Sequence, residues 1–238
     1  MRWFHPSWSI VWLVVLMALS TWGQTSTAAS PDGLHLMTRF WGGSLEMKVW
    51  YFSNDRFAQE PRSTATPFDF NQAEQQSPGS TGRITRQGDR WTFEWAQGRK
   101  STGKHERGQG AGGCFYWDAG LFCPVKPFAA QQILDGTYAG SLGTSQVSSA
   151  RTYIFSPDGR YRMRTAASVS STGPTVWMSG GAGSEQEGRY RTAGQAIVLT
   201  PTGSPAMTLT AFPYEVGTDL TKPGRVYIGG FMLKRQAP

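Results

Sequence analysis

The chain has 238 residues, a formal net charge of +7, 39% hydrophobic residues and only 16% charged residues. The apolar share is enough for a folded core, and the sparse charge excludes a disordered polyelectrolyte. The 29 glycines and 14 prolines disfavour coiled coils and long helical bundles. The length allows one or two domains.

The N-terminus has the pattern of a secretory signal peptide over residues 1–30. Arg2 supplies a positive start, residues 10–19 form an apolar run, and residues 25–29 offer small side chains for cleavage. The alternative is an uncleaved anchor, although the run is shorter than the ~20 residues that span a bilayer. We therefore expect a secreted or periplasmic protein with no membrane span after signal cleavage, for which nucleic acid is not an expected partner.

Both cysteines, Cys114 and Cys123, flank a predicted hairpin. Short aromatic runs lie on either side of Asp118-Ala119-Gly120, a sequence typical of a turn. A hairpin at this point brings the two thiols together on adjacent strands. Because an exported protein meets an oxidising environment, we predict a structural Cys114–Cys123 disulfide.

The remaining sequence contains one pattern twice. Phe52-Ser53 recurs 103 residues later as Phe155-Ser156, and residues 82–88 resemble residues 188–194 at a spacing of 106. The signals keep their order, and the spacing grows where loops differ. Because all-β chains use similar turn sequences, some of these matches would occur without duplication.

The repeat predicts three segments after the signal peptide. They are a first β-module at residues 31–128, a linker at 129–134 and a second β-module at 135–238.

Strands dominate the predicted secondary structure. Trp91, Phe93 and Trp95 alternate with polar residues, which is the period of a sheet with one buried face. Turn signals recur every eight to twelve residues, as in a sandwich or barrel. The best helical candidate is residues 128–134, interpreted as a linker or one short helical turn. The predicted fold is all-β, with two duplicated antiparallel modules and little helix outside the signal peptide.

Each module carries a long insertion between its third and fourth strands, at residues 58–81 and 165–187. Apolar side chains in these polar stretches are the proposed ligand-binding residues Phe68, Phe70, Val176, Trp177 and Met178. They pin each loop to its own barrel or form a lid over a ligand pocket.

Five of the tryptophans after the signal peptide lie in strand-like runs and are expected in the core. Trp177 lies in a loop-like stretch and is the one expected to be exposed or to contact a ligand.

The sequence offers no constellation for catalysis. Residues 108–113 match GxGxxG as text, but no βαβ unit surrounds them. His35 and His105 lie in different contexts without metal-ligand spacing, and the acids Asp135 and Asp158 lie in turn motifs. We expect no catalytic residues, no metal, no cofactor and no enzymatic activity.

The second module resembles exported lipocalin-like, or calycin-type, β-barrel proteins. The residues that carry the resemblance are 135–138, 153–161 and 188–190, which read DGTY, YIFSPDGRY and GRY. The motif Gly136-Thr137-Tyr138 has Tyr where lipocalins open with G-x-W. The resemblance implies a barrel that holds a small apolar ligand.

The favoured function is a non-enzymatic exported binding protein for a small hydrophobic or amphipathic molecule. The alternatives are a surface module that binds acidic glycans or other polyanions through Trp177, Phe68 and the basic residues 99–107, and a structural envelope protein.

Overall fold

Short runs of aromatic and β-branched residues between Gly- and Asp-containing turns form strands along most of the chain. A computed structural model describes residues 31–61, 68–108, 112–143, 147–172, 177–215 and 219–237. The predicted signal peptide lies outside these described residues.

The first module is a nine-stranded antiparallel sheet that curves almost into a barrel. Its strand order is β6-β5-β4-β3-β2-β1-β9-β8-β7. The two edges, β6 and β7, are separated along the chain by His105 alone, so one bent segment forms both edges of the sheet. The elements are β1 (Gly33–Trp41), β2 (Ser44–Ser53), β3 (Arg56–Gln59), α1 (Phe70–Gln76), β4 (Thr81–Gln87), β5 (Arg90–Trp95), β6 (Lys100–Lys104), β7 (Glu106–Arg107), β8 (Phe115–Trp117) and β9 (Gly120–Pro124).

The second module is a closed eight-stranded barrel in which each strand pairs with its neighbours in sequence, and the last strand pairs with the first. Its strands are β10 (Gly136–Gly143), β11 (Val147–Phe155), β12 (Arg160–Thr172), β13 (Trp177–Ala193), β14 (Ala196–Pro201), β15 (Met207–Tyr214), β16 (Arg225–Ile228) and β17 (Phe231–Arg235). The predicted all-β fold with two related modules is confirmed.

The modules repeat their cross-strand register as well as their strand order. Gly33 is opposite Phe52 in the first, and Gly136 is opposite Phe155 in the second. The next equivalent pairs are Arg56 with Arg83 and Arg160 with Arg189. This register identifies structurally equivalent residues in the two barrels.

One glycine in each module allows two strands to approach closely. A Cβ at Gly82 would lie 2.1 Å from the carbonyl oxygen of Glu94, and a Cβ at Gly188 would lie 2.1 Å from that of Thr200. Any side chain at either position would therefore collide with backbone. The repeated glycine in the sequence has a steric reason.

Aromatic side chains fill the interior of the first module. Alternation along β5 turns Trp91, Phe93 and Trp95 inward and leaves Glu94 exposed. The buried cluster comprises Met37, Trp50, Phe52, Phe57, Ile84, Trp91, Phe93, Trp95, Phe115, Trp117 and Phe122. The second barrel is filled in the same way, around Tyr138, Tyr153, Phe155, Leu199 and Leu233.

The predicted disulfide is present. Cys114 and Cys123 are bonded with their Cα atoms 4.2 Å apart, and the hairpin between them joins β8 to β9. Asp118 and Ala119 form its turn with φ values of 50° and 59°. The bridge links the segment before β8 to the end of β9.

The helical element lies at a different place from the one considered in the sequence. Residues 128–134 contain a turn without a helix, and Phe128 and Leu134 are buried in the core of the second barrel. The helix is α1, whose N-cap Asp69 accepts the backbone N–H groups of Asn71 and Gln72. No helix among the described residues is long and apolar enough to cross a membrane.

The second insertion is also pleated. Residues 165–172 and 177–187 continue β12 and β13 as one long antiparallel hairpin, in which Thr165 is opposite Ser184. The expectation of a loop at this position was therefore wrong.

The barrels pack side by side through the outer faces of β1 and β2 against those of β15 and β16. Leu34, Leu36 and Val49 form one cluster with Phe212 and Tyr227. Since these residues alternate with inward-facing ones, each strand contributes both to its barrel core and to this interface.

A partly buried hydrogen bond crosses the same interface. The Tyr227 hydroxyl donates to Glu60 at 2.8 Å, and the second carboxylate oxygen of Glu60 accepts the Val49 N–H at 2.6 Å. Burial raises the pKa of Glu60 above its usual range, and burial together with the nearby carboxylate raises the pKa of Tyr227. The ionised form of Glu60 is therefore stabilised by its two hydrogen-bond donors, the Tyr227 hydroxyl and the Val49 N–H.

Replacing Tyr227 with Phe is expected to lower the free energy of unfolding by about 1 kcal/mol, because the partly exposed Glu60 carboxylate loses the Tyr227 hydroxyl as a hydrogen-bond donor. A raised native pKa makes Glu60 favourable to stability at low pH, and this contribution disappears as the pH rises through that pKa. The loss in Y227F should therefore be larger at about pH 8 than at about pH 5 in urea unfolding.

The double variant E60Q/Y227F is the control, since an uncharged amide should remove the pH dependence of the loss. A pH-independent loss below about 0.5 kcal/mol in Y227F would contradict the role of the pair.

Gly82→Ala and Gly188→Ala should each destabilise the protein by about 3 kcal/mol, because the new methyl group meets a backbone oxygen that cannot move aside. Gly112→Ala is the matched control, since its Cβ would have its nearest neighbour at 3.6 Å. Thermal unfolding of the three variants checks the expectation. Equal stability of all three would show that the two strand contacts tolerate a side chain.

Candidate functional site

A cavity of about 340 Å³ opens at one end of the first barrel. The end of β1, the start of β2, the turn between β5 and β6, and the turn between β8 and β9 surround it. We call this cavity the mouth, and its wall separates into an apolar floor and a charged rim.

The floor is the top of the aromatic core. Trp50, Trp95, Trp117 and Phe122 line it, with Met37 beside them. The Trp50 ring lies 6.4 Å from Trp95 and 5.5 Å from Phe122, both edge to face. These positions face inward because each lies two residues from another core residue on its strand.

Two indole groups of the floor retain hydrogen-bonding capacity. Trp117 Nε1 donates to the Trp91 carbonyl oxygen at 3.3 Å. Within the described part of the chain, Nε1 of Trp50 and Nε1 of Trp95 are buried without an acceptor. Buried donors are normally satisfied, so these two groups favour a polar ligand atom near the floor.

The rim carries four cations: Arg39, Lys48, Arg99 and Lys100. Glu46 lies between two of them, with an ion pair to Arg39 and a 2.5 Å contact to Lys48 Nζ. Burial alone would raise the pKa of Glu46, but the hydrogen bonds from Lys48 and Arg39 lower it overall. Glu46 is therefore ionised and holds both cations in place.

Arg99 is the rim cation that is available to an external anion. Its guanidinium stacks over the Trp95 ring, with Cζ 3.8 Å from the centroid. It has no acidic partner among the described residues, whereas Lys100 contacts Glu94 at 3.0 Å. A planar cation held on an indole presents several N–H donors towards the cavity.

The second barrel shows why the first has a mouth. Gly120 begins β9 opposite Trp117, and its equivalent, Phe231, begins β17 opposite Ile228. In the second barrel the Arg151 guanidinium lies 4.2 Å from the Phe231 ring centroid, and Arg151 is the equivalent of Lys48. A phenylalanine under an arginine thus fills the space that Gly120 leaves open.

The opposite end of the first barrel holds a cavity of about 320 Å³ that both His35 and His105 line. His105 stacks on Trp91 at 3.9 Å, and the His35 ring lies 5.8 Å from Phe115. Burial lowers the pKa of both imidazoles, and Arg86 and Arg107 lower that of His105 further. No group of three metal-ligating side chains occurs among the described residues.

A larger groove of about 580 Å³ runs along the outside of the second barrel. Arg160, Arg162 and Arg189 line it. Arg160 pairs with Asp158 at 3.0 Å and Arg162 with Glu185 at 3.1 Å, so two of its three arginines already have acidic partners. The mouth differs because Arg99 lies directly over aromatic floor residues without an acidic partner among the described residues, which makes it the better candidate for an acidic ligand with an apolar part.

The predicted site residues of the first insertion lie outside the mouth. Phe68 and Phe70 pack on Tyr51, with ring centroids 4.7 Å and 5.9 Å away. Arg56 donates to Asn71 and Glu74 of α1 at 3.0 Å and 2.9 Å. These contacts pin the insertion to the outer face of its own barrel.

The predicted site residues of the second insertion are described only in part. Trp177 and Met178 begin β13, and Trp177 is opposite Thr172, so the expectation of a loop there was wrong. Val176 lies outside the described residues, as do the side chains at 177 and 178. The basic residues 99–107 include the whole of β6 and β7 and are therefore mostly exposed edge strands rather than a loop.

The residues of the mouth were not predicted from the sequence. Trp50, Trp95 and Trp117 were expected in the core, where they lie, but they also form the floor of the cavity. The signal was present in the alternation, since Lys48 lies two residues before Trp50 and so faces the same side. Trp41 was expected in the core and is 67% exposed instead.

Comparisons with protein-family models, with curated proteins and with solved structures give no match for this chain. The all-β barrel fold is consistent with calycin-like barrels in general. The chemistry of the mouth is therefore the basis on which a function can be inferred.

Proposed function

We propose that this protein is a non-enzymatic binding protein for a small amphipathic anion, which it holds in the mouth of the first barrel. The observation that carries the proposal is the pairing of a tryptophan floor with a rim that contains Arg99. An apolar group would lie on the indoles, and an acidic group would accept hydrogen bonds from the rim.

The size of the mouth suits such a ligand. About 340 Å³ lies within the range of ligand pockets in proteins. The packed core beneath prevents deeper entry, so the ligand would be held at the barrel end rather than in a central calyx. This placement differs from the interior pocket that the lipocalin-like resemblance implies.

The rim supports binding in preference to reaction. Arg39 and Arg99 present planar guanidinium groups that act as hydrogen-bond donors. Lys48 contacts Glu46 at 2.5 Å, so its ammonium group is engaged in an ion pair. The disulfide indicates an oxidising extracellular or periplasmic environment, and we propose export through the N-terminal signal.

Dodecanoate is a suitable probe, and the floor tryptophans report its binding by fluorescence. We expect saturable quenching by dodecanoate, weaker quenching by dodecanol, and a dissociation constant about tenfold higher for Arg99→Ala, which loses a charged hydrogen bond. The dodecanoate affinity should also fall with added salt, because the rim is partly exposed.

Arg189→Ala is the matched control, since it removes an arginine from the outer groove of the second barrel. It should bind dodecanoate like the unmodified protein. Absence of saturable quenching, or equal dissociation constants for R99A and R189A, would overturn the proposal. Quenching of equal strength by dodecanol would show that the rim cations do not contribute to binding of the acidic group.

A further inference from the structure

The hairpin of β1 and β2 extends beyond the strands beside it. β1 pairs with β9 only from His35 to Thr38, and β2 pairs with β3 only from Trp50 onward. Residues 39–47 therefore form a two-stranded ribbon, paired only with itself, that projects from the mouth end of the first barrel.

The end of this ribbon is apolar and exposed. Phe40 is 73% exposed, Trp41 67% and Leu45 56%, which makes them the three most exposed large apolar side chains of the described residues. Gly42 and Gly43 form the turn between them with φ values of 58° and 81°. We call Phe40, Trp41 and Leu45 the apolar tip.

The shape and composition of the apolar tip match those of an interfacial membrane anchor. Tryptophan and phenylalanine prefer the boundary between water and lipid headgroups, where the ring is buried and a polar edge stays hydrated. Arg39 lies 5.4 Å from the Trp41 ring centroid, which places a cation at headgroup depth.

Charge at the same end favours an anionic surface. The rim cations Arg39, Lys48, Arg99 and Lys100 surround the base of the ribbon, and Glu46, Glu94 and Asp118 neutralise part of this charge. A small positive surplus remains, and the whole chain carries +7. Juxtamembrane cations add to the binding that apolar insertion supplies.

We infer that the apolar tip inserts into a lipid surface, with the mouth of the first barrel facing the headgroups. The inference rests on the projection and exposure of the ribbon and does not require the proposed ligand. It provides a route by which an amphipathic anion could pass between the membrane and the mouth without crossing bulk water.

Sedimentation with vesicles made of equal parts phosphatidylcholine and phosphatidylglycerol tests this inference. The intact protein should bind them, and the triple variant F40S/W41S/L45S should bind about tenfold more weakly, because it loses its inserting apolar surface. Brominated lipid should quench tryptophan fluorescence in the unmodified protein, and this quenching should fall in Trp41→Phe, whose vesicle binding is retained.

Leu142→Ser is the matched control, since Leu142 is 44% exposed on the corresponding hairpin of the second barrel. Its vesicle binding should equal that of the unmodified protein. Circular dichroism should show the same fold for all variants, as the changed side chains are on the surface.

Three outcomes would overturn the inference: no vesicle binding by the intact protein, equal binding by the triple variant, or a dimer in solution that the triple variant abolishes. The last outcome would make the tip a contact between two copies of the chain. Dodecanoate binding without vesicles should be unchanged in the triple variant, so a failure of the lipid inference is distinguishable from a failure of the proposed ligand function.

Discussion

The aromatic filling of the first barrel decides where the molecule has room for a ligand. Barrels of about eight strands have an interior that side chains can fill, and in this nine-stranded, nearly closed sheet four tryptophans and several phenylalanines occupy the interior. A ligand is therefore confined to an end of the barrel. The same rings then act twice, because those at the top of the core also form the floor of the mouth.

The two modules keep the same strand register at equivalent positions although most of their side chains differ. Gly82 and Gly188 show the constraint that both copies share, since each removes a side chain that would meet a neighbouring carbonyl. Gly120 and Phe231 show the divergence, because one opens the end of its barrel and the other fills it. The two barrels are also joined by a partly buried hydrogen bond between Glu60 and Tyr227.

Most of the fold could be predicted from local patterns in the sequence. Alternation along residues 91–95, the turn at Asp118 and the paired cysteines each predicted a structure that neighbours in sequence are enough to specify. Prediction from the sequence failed where contacts between residues distant in sequence determine the local structure. Residues 70–76 form a helix because Asp69 caps them and Arg56, from a strand, binds Asn71 and Glu74. The residues next to Trp41 in the sequence resemble those around a core strand residue. However, β1 extends beyond the end of its pairing with β9, so Trp41 is exposed.

By itself the sequence determined that the chain is all-β, that its pattern occurs twice and that its cysteines pair, since these follow from periodicity, turn residues and short separation. Only the tertiary structure decided that Arg99, Lys48 and the floor tryptophans meet at one barrel end and that Phe68 and Phe70 lie elsewhere. The physical reason is closure. Curving a sheet into a barrel brings together residues from seven strands at positions set by register and shear, and no local pattern encodes that meeting.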